Sequence, residues 1–161
     1  MLGYVCKYTP MELFEAMDTE ITRLEPSVTD FNHADTLMHA NICSYTKAVL
    51  EDVMEHDYEG VILTTCCDSI RRLYDTLKSQ FPDKFFFLLD IPRKFNDFAV
   101  TLYERQLKQM LTEYEAFSGK TLDLKRFVSM MQNKAALKKQ ENTRMSASAV
   151  SEKGNGQKLN I

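Results

Sequence analysis

Four cysteines are the residues of this 161-residue chain whose type and position point to chemistry. Cys66 and Cys67 directly follow a predicted buried strand and precede a helix, Cys43 lies near the start of a long helical pattern, and Cys6 ends a short strand. Ligands bind at the carboxyl ends of strands in a parallel α/β sheet, so thiols there could reach a metal or a cluster in a crevice. By spacing alone, however, scattered cysteines are more often core residues.

The remaining titratable residues give little support to other chemistry. Adjacent cysteines such as Cys66 and Cys67 rarely bridge each other, and in a reducing compartment the four thiols are expected to be free or to bind metal. The chain has 3 histidines, and no two of them form a His-x-x-x-His pair. A zinc hydrolase is therefore a poor interpretation.

Composition excludes several classes of partner. The formal net charge is -3, so no basic field for nucleic acid is expected. No apolar run approaches the roughly 20 residues that span a bilayer, and the first residues lack a basic and apolar secretory leader. The sequence predicts a cytoplasmic protein without a membrane segment.

Buried strands alternate with helices along most of the chain. Val61-Ile62-Leu63 and Phe85-Phe86-Phe87-Leu88-Leu89 are continuous apolar runs, which are typical of strands covered on both faces. Shorter strands are predicted at residues 2–6 and 21–24. This alternation predicts an α/β fold with a parallel sheet of about three to four strands and flanking helices, followed by a C-terminal helical segment.

The helical patterns set the predicted domain organisation. Apolar residues recur at spacings of three and four from Leu37 to Met54, which predicts one helix of some five turns. Asp68 or Ser69 is expected to cap the next helix, and Gly119 to end a later one. We expect an α/β domain over residues 1–92, a helical extension over 93–144 and a disordered tail over 145–161.

Four stretches, in this order and spacing, resemble the 2-hydroxyacyl-CoA dehydratase family, which includes 2-hydroxyglutaryl-CoA dehydratase and benzoyl-CoA reductase subunits and double-cubane cluster proteins. They are Gly3-Tyr4-Val5-Cys6-Lys7-Tyr8-Thr9-Pro10-Met11-Glu12-Leu13, Cys43-Ser44-Tyr45-Thr46-Lys47, Gly60-Val61-Ile62-Leu63-Thr64-Thr65-Cys66-Cys67-Asp68-Ser69-Ile70-Arg71-Arg72, and Leu89-Asp90-Ile91-Pro92 with the helix that follows it and Glu115-Ala116-Phe117-Ser118-Gly119-Lys120. The likeness covers roughly residues 1–145 and resembles the amino-terminal half of the family's longer subunits.

The resemblance implies that Cys43 and Cys67 are ligands of a 4Fe–4S cluster. Cys66 is then either an alternate ligand or a buried small residue, and we expect the buried role. Cys6 either contacts the cluster or packs in the core, and we expect packing. Ser44, Tyr45 and Tyr8 could hydrogen-bond near the cluster, although packing is the simpler role for the two tyrosines.

The family also implies a reaction and its partners. An ATP-dependent iron–sulfur activator protein would deliver one electron to the cluster, which reduces the thioester of a (R)-2-hydroxyacyl-CoA so that water is lost. The remaining ligands would come from a second dehydratase subunit or from a missing C-terminal half. Two alternatives stay open: a non-catalytic remnant or partner-binding α/β module, and a double-cubane-type reductase or electron-transfer component.

Overall fold

In the part of the chain that the structure describes, four short strands make one parallel sheet. The computed structural model describes residues 1–28 and 30–153, with the backbone alone described for 141–153. The strands are β1 (Leu2–Tyr4), β2 (Ile21–Arg23), β3 (Gly60–Thr64) and β4 (Phe85–Leu89). Their order is β2-β1-β3-β4, and every neighbouring pair is parallel. The predicted α/β fold with three to four parallel strands is confirmed.

The two longest strands form the centre of the core. All of β3 is buried, and in β4 only Leu88 is partly exposed. Continuous apolar strands of this kind are stable only where helices cover both faces of the sheet. Val61, Leu63 and Phe86 pack in one cluster with apolar residues of the helices, which include Val49, Val53, Ile70, Leu73 and Leu77.

Among the described residues, six helices surround or follow the sheet: α1 (Met11–Ala16), α2 (Asn32–Leu37), α3 (Ser44–Glu55), α4 (Asp68–Gln80), α5 (Asp97–Ser118) and α6 (Leu124–Lys153). Asn96 caps α5 by accepting a hydrogen bond of 2.8 Å from the Ala99 N–H. Gly119 ends α5 in the left-handed region with φ 69°, which confirms its predicted role as a helix stop.

The predicted single helix from Leu37 to Met54 is wrong, because the chain breaks between α2 and α3. Met38 is extended with φ -125° and ψ 153°, and Cys43 is extended with φ -63° and ψ 149°. Leu37 and Ile42 nevertheless pack against the same core as α3. The apolar spacing therefore continues across the break between α2 and α3, so the spacing alone could not reveal that break.

A buried carboxylate fastens α2 to α3. Glu51 of α3 is 2% exposed, its Oε1 accepts the Ala34 N–H at 2.7 Å, and its Oε2 lies 2.7 Å from His33 Nδ1. Burial would raise the pKa of Glu51, but the Ala34 N–H and His33 stabilise the carboxylate, so the net pKa lies below its ordinary value. The ion pair of Lys47 with Asp35, at 2.6 Å, joins the same two helices.

A buried tyrosine fixes α5 against the sheet. The Tyr114 ring packs edge-on against Phe14 at 5.1 Å and against Phe85 at 5.0 Å, between ring centroids. Its hydroxyl donates to Glu59 Oε1 at 2.6 Å. Burial and the Glu59 carboxylate together raise the pKa of Tyr114 to about 12. Phe98, in the first turn of α5, is 77% exposed.

The chain divides into two compact units, Met1–Leu122 and Asp123–Ile161. The first contains the sheet and α1 to α5, whereas the sequence placed a boundary at residue 92. In the second, Asp123 Oδ1 accepts the N–H groups of Lys125 and Arg126 at the start of α6. No helix in the described part of the chain combines the length and apolar character that crossing a membrane requires.

The predicted tail, 145–161, stays a prediction. The described backbone is helical through Lys153, and residues 154–161 lie outside the described residues. Three apolar side chains of α6 are exposed: Leu124, Val128 and Met131.

Candidate functional site

The order of the strands places the switch point of the sheet, where a crevice forms in parallel α/β folds, between β1 and β3. After β1 the chain places β2 on one side, and it then returns to place β3 on the other side of β1. Connections on opposite sides of a parallel sheet diverge at such a point, which leaves space at the carboxyl ends of the two strands. Cys6 follows β1, and Cys66 and Cys67 follow β3. Three of the four cysteines therefore follow the two strands that border this crevice.

The turn after β3 carries Cys66 and Cys67 out of the sheet. The last hydrogen bond between the two strands runs from the Thr65 N–H to the Leu89 carbonyl oxygen at 3.0 Å. The Cys66 N–H donates instead to the Thr64 carbonyl oxygen at 2.7 Å, which closes the turn. The Thr65 hydroxyl donates to the Asp90 carboxylate, which ties this turn to the end of β4. Both cysteines are exposed. The expected burial of Cys66 is wrong, since the turn begins one residue before it.

Cys67 occupies the N-cap position of α4, with φ -154° and ψ 169°. Asp68 and Ser69, which were predicted to cap this helix, lie inside its first turn instead. Burial raises the pKa of the neighbouring Cys66 thiol, and the thiols of Cys67 and Cys6 raise it further because each disfavours a second negative charge.

Cys43 occupies the equivalent N-cap position of α3. Its sulfur lies 3.1 Å from Thr46 Oγ1 and makes no cap hydrogen bond of standard geometry to a backbone amide. Burial would raise the pKa of Cys43, but Thr46, the Ser69 hydroxyl and the Tyr45 amide stabilise the thiolate and lower the pKa overall. Such a shift is expected at the positive end of a helix dipole.

The Ser69 hydroxyl helps to lower the pKa of Cys43, so this thiol lies near the first turn of α4, the helix that Cys67 caps. Two thiols that are distant in sequence thus flank the same helix terminus. Sequence reasoning missed the hydroxyl partners Thr46 and Ser69 of Cys43. The one sign of these partners in the sequence was that polar residues occupy the first turns of the helices that follow Cys43 and Cys67.

Cys6 behaves differently from the other three thiols. It is partly buried and packs against the core, so its expected packing role is confirmed. Its carbonyl oxygen accepts the Thr9 N–H at 2.9 Å in the turn before α1. Cys6 therefore packs against the core just after β1.

Tyrosines at this edge are exposed rather than packed. Tyr45 is 45% exposed and Tyr8 is 60% exposed, so the expected packing of both is wrong. Burial of part of the ring raises the pKa of Tyr45, Arg23 opposes this rise, and charge on Cys66 or Cys6 adds to it. Tyr45 thus lies within electrostatic range of two of the cysteines.

The donor set fits part of an iron–sulfur site. Thiolates hold such clusters, and three exposed cysteines on this edge supply that chemistry. Within the described residues, however, no three histidine, cysteine, aspartate or glutamate side chains are grouped closely enough to hold a metal ion. The thiols of this chain are therefore suitable in type and incomplete in number.

Comparison with known proteins assigns the chain to a family. Residues 6–151 match the family described as 2-hydroxyglutaryl-CoA dehydratase, D-component. No curated protein matches the chain. The family match includes all four cysteines, the whole sheet from β2 onward, and helices α1 to α5. Since the match extends over most of the sequence, the chain belongs to the D-component family of the 2-hydroxyacyl-CoA dehydratases.

Proposed function

We propose that this chain is a component of a 2-hydroxyacyl-CoA dehydratase and that Cys43 and Cys67 hold a 4Fe–4S cluster in the crevice between β1 and β3. The observation that carries the proposal is their common position. Each occupies a helix N-cap, and Cys43 lies beside the helix that Cys67 begins. Helix N-termini favour thiolates, the protonation state that ligates iron.

The other two cysteines have lesser roles in this proposal. Cys66 is exposed and next to Cys67, so it is available as an alternate ligand. Cys6 is packed against the core and shapes the crevice. The hydroxyls of Thr46 and Ser69, which stabilise charge on Cys43, would also tune the sulfur as a ligand.

The number of ligands requires a partner. A 4Fe–4S cluster takes four protein ligands in its usual form, and this chain offers two N-cap thiols with two neighbours. A second dehydratase subunit, or a further chain segment, would supply the remainder. In this proposal the protein works in the cytoplasm, where thiols stay reduced, and its four cysteines are free.

When bound, the cluster would supply a single electron at low potential, received from an ATP-dependent activator protein, to the thioester of a 2-hydroxyacyl-CoA that then loses water. The residues of this chain would position and shield that site. The Thr65–Asp90 hydrogen bond holds the β3 and β4 turns together, and the buried strands beneath exclude water from below.

Iron analysis of the anaerobically produced chain, together with a dehydratase partner subunit, tests the proposal. We expect bound iron and acid-labile sulfide in the complex, and we expect Cys43→Ser and Cys67→Ser each to lose most of both because a thiolate ligand is removed. Cys6→Ala serves as the matched control and should retain its iron. The assignment would be overturned if the complex were colourless and free of iron with the wild-type chain as well as with every variant.

A non-catalytic, partner-binding module is the second candidate. It is favoured by exposed apolar residues that recur on one side of α6 at spacings of four and three: Leu124, Val128 and Met131. An uncovered apolar stripe on a helix fits a partner protein. The same purification separates the two candidates, because this module would associate with the partner subunit and contain no iron.

A further inference from the structure

A cavity of about 350 Å³ opens at the carboxyl edge of the sheet, beside β4. It lies between the turn after β1, the segment after β4 and the first turns of α5. Its lining includes Tyr8, Arg93, Lys94, Phe95, Val100 and Tyr103, and none of the four cysteines lines it. Its volume lies within the usual range of small-molecule pockets.

The walls of this cavity are apolar and aromatic. Ala99 is buried at its floor, and Ile91 and Pro92 are half-buried. The Tyr103 hydroxyl donates to the backbone carbonyl oxygen of Tyr8 at 3.4 Å. Phe95 is 97% exposed at the rim. A phenylalanine ring that is fully in water gains no stability for the fold, so its place at a cavity rim suits contact with a ligand.

Two cations at the rim give the cavity its polarity. Arg93 and Lys94 are exposed, and neither pairs with a carboxylate among the residues that the structure describes. Other lysines of the same unit do pair, such as Lys47 with Asp35 and Lys108 with Glu104. The carboxylate of Asp90, three residues before Arg93, accepts a hydrogen bond from the Thr65 hydroxyl.

A third cation lies near the same wall. Lys7 Nζ is 5.1 Å from the centre of the Tyr8 ring. An apolar cavity with several cations on one side favours a ligand that has an apolar body and an anionic group at one end.

We propose that this cavity binds a small organic anion, with its apolar or aromatic body between Tyr8, Phe95 and Tyr103 and its anionic group on Arg93 and Lys94. The anionic group is a carboxylate or a phosphate ester, because guanidinium and ammonium groups bind both. The proposal goes beyond the cluster site, since no residue of the cavity is a cysteine.

Three matched probes test this proposal on the full chain by NMR or calorimetric titration. They are 3-phenylpropionate, phenyl phosphate and the neutral 3-phenylpropanamide. We expect at least one of the anions to bind with a dissociation constant of about a millimolar or below, and the amide to bind about tenfold more weakly. The better of the two anions identifies the ligand class.

Two variants locate the binding. R93Q/K94Q should weaken anion binding about tenfold and leave the amide unchanged, because it removes charge alone. V100W should weaken all three probes, because the larger ring enters the cavity. R105Q/K108Q removes two charges from an exposed face of the same helix and should change nothing.

The proposal would be overturned if the anions and the amide bound equally well. It would also be overturned if the anions bound to R93Q/K94Q and to V100W as tightly as to the wild type. Circular dichroism of each variant shows whether it is folded, and the substituted side chains are exposed. The result is independent of iron content, so a failure here is distinguishable from a failure of the cluster assignment.

Discussion

Two cysteines at the carboxyl edge of the sheet act through their positions at helix ends. Cys43 and Cys67 are both N-caps, where the unpaired amides of the first helical turn favour negative charge. The short stretch that connects α2 to α3 sets where Cys43 lies, so residues that hold α2 in place also position that thiol. Glu51 is the foremost of these, since it is buried and contacts both His33 and the Ala34 amide.

The structure makes Glu51 a source of pH-dependent stability. Its pKa is below the ordinary value, so its carboxylate stabilises the fold above the ordinary pKa, and this contribution is lost as the pH falls through the lowered value. Glu51→Gln should therefore lower the free energy of unfolding by about 1–3 kcal/mol at pH 7, with a smaller difference from wild type below about pH 4.

Urea unfolding from pH 7 down to pH 3 measures this effect. Glu55→Gln is the matched control, because Glu55 lies on the same helix and is exposed. A difference between Glu51→Gln and wild type that is constant with pH would contradict the assigned role of the carboxylate.

At the scale of elements, close approach of β3 and β4 explains the glycine that begins β3. A Cβ atom built on Gly60 would lie 2.0 Å from the backbone oxygen of Phe85, far inside contact distance. Gly60 pairs with Phe85 in the parallel register, so a side chain there would push the two central strands apart.

Gly60→Ala should therefore destabilise the protein by about 3 kcal/mol or more, because the clash is with backbone that cannot move alone. Gly3→Ala is the control on β1, where a Cβ would lie 3.1 Å from the flexible end of Leu24. It should cost clearly less. Thermal unfolding of the two variants measures the difference, and equal destabilisation would show that the approach of β4 is not the cause.

At the scale of the whole molecule, the core belongs to the first compact unit. All buried apolar residues of the described side chains lie at or before Tyr114. The unit ends at Leu122, whose N–H donates to Glu115 Oε1 at 3.0 Å. The sheet and its cysteine edge thus contain their own hydrophobic core.

A fragment of residues 1–122 should therefore fold alone, with a melting temperature within about 5 °C of the full chain. Circular dichroism melts of the two proteins provide the measurement. A fragment that is unfolded at room temperature would show that residues after Leu122 complete the core.

Much of this fold could be predicted because its signals are local. Continuous apolar runs identified β3 and β4, and Gly119 marked the end of α5. The family was recognisable for the same reason, since the cysteines stand in fixed relation to those runs. The exposure of Cys66 and Phe98 was not predictable, because each depends on where the chain leaves the sheet or the core.

The sequence by itself determined that strands, helices and thiols follow one another in a given order. Only the tertiary structure decided that β3 returns to the opposite side of β1 from β2, which opens the crevice that Cys66 and Cys67 border. It also decided the break that makes Cys43 an N-cap and brings it beside Ser69. Apolar periodicity records which residues are buried, whereas strand order and helix breaks arise from contacts between residues distant in the chain.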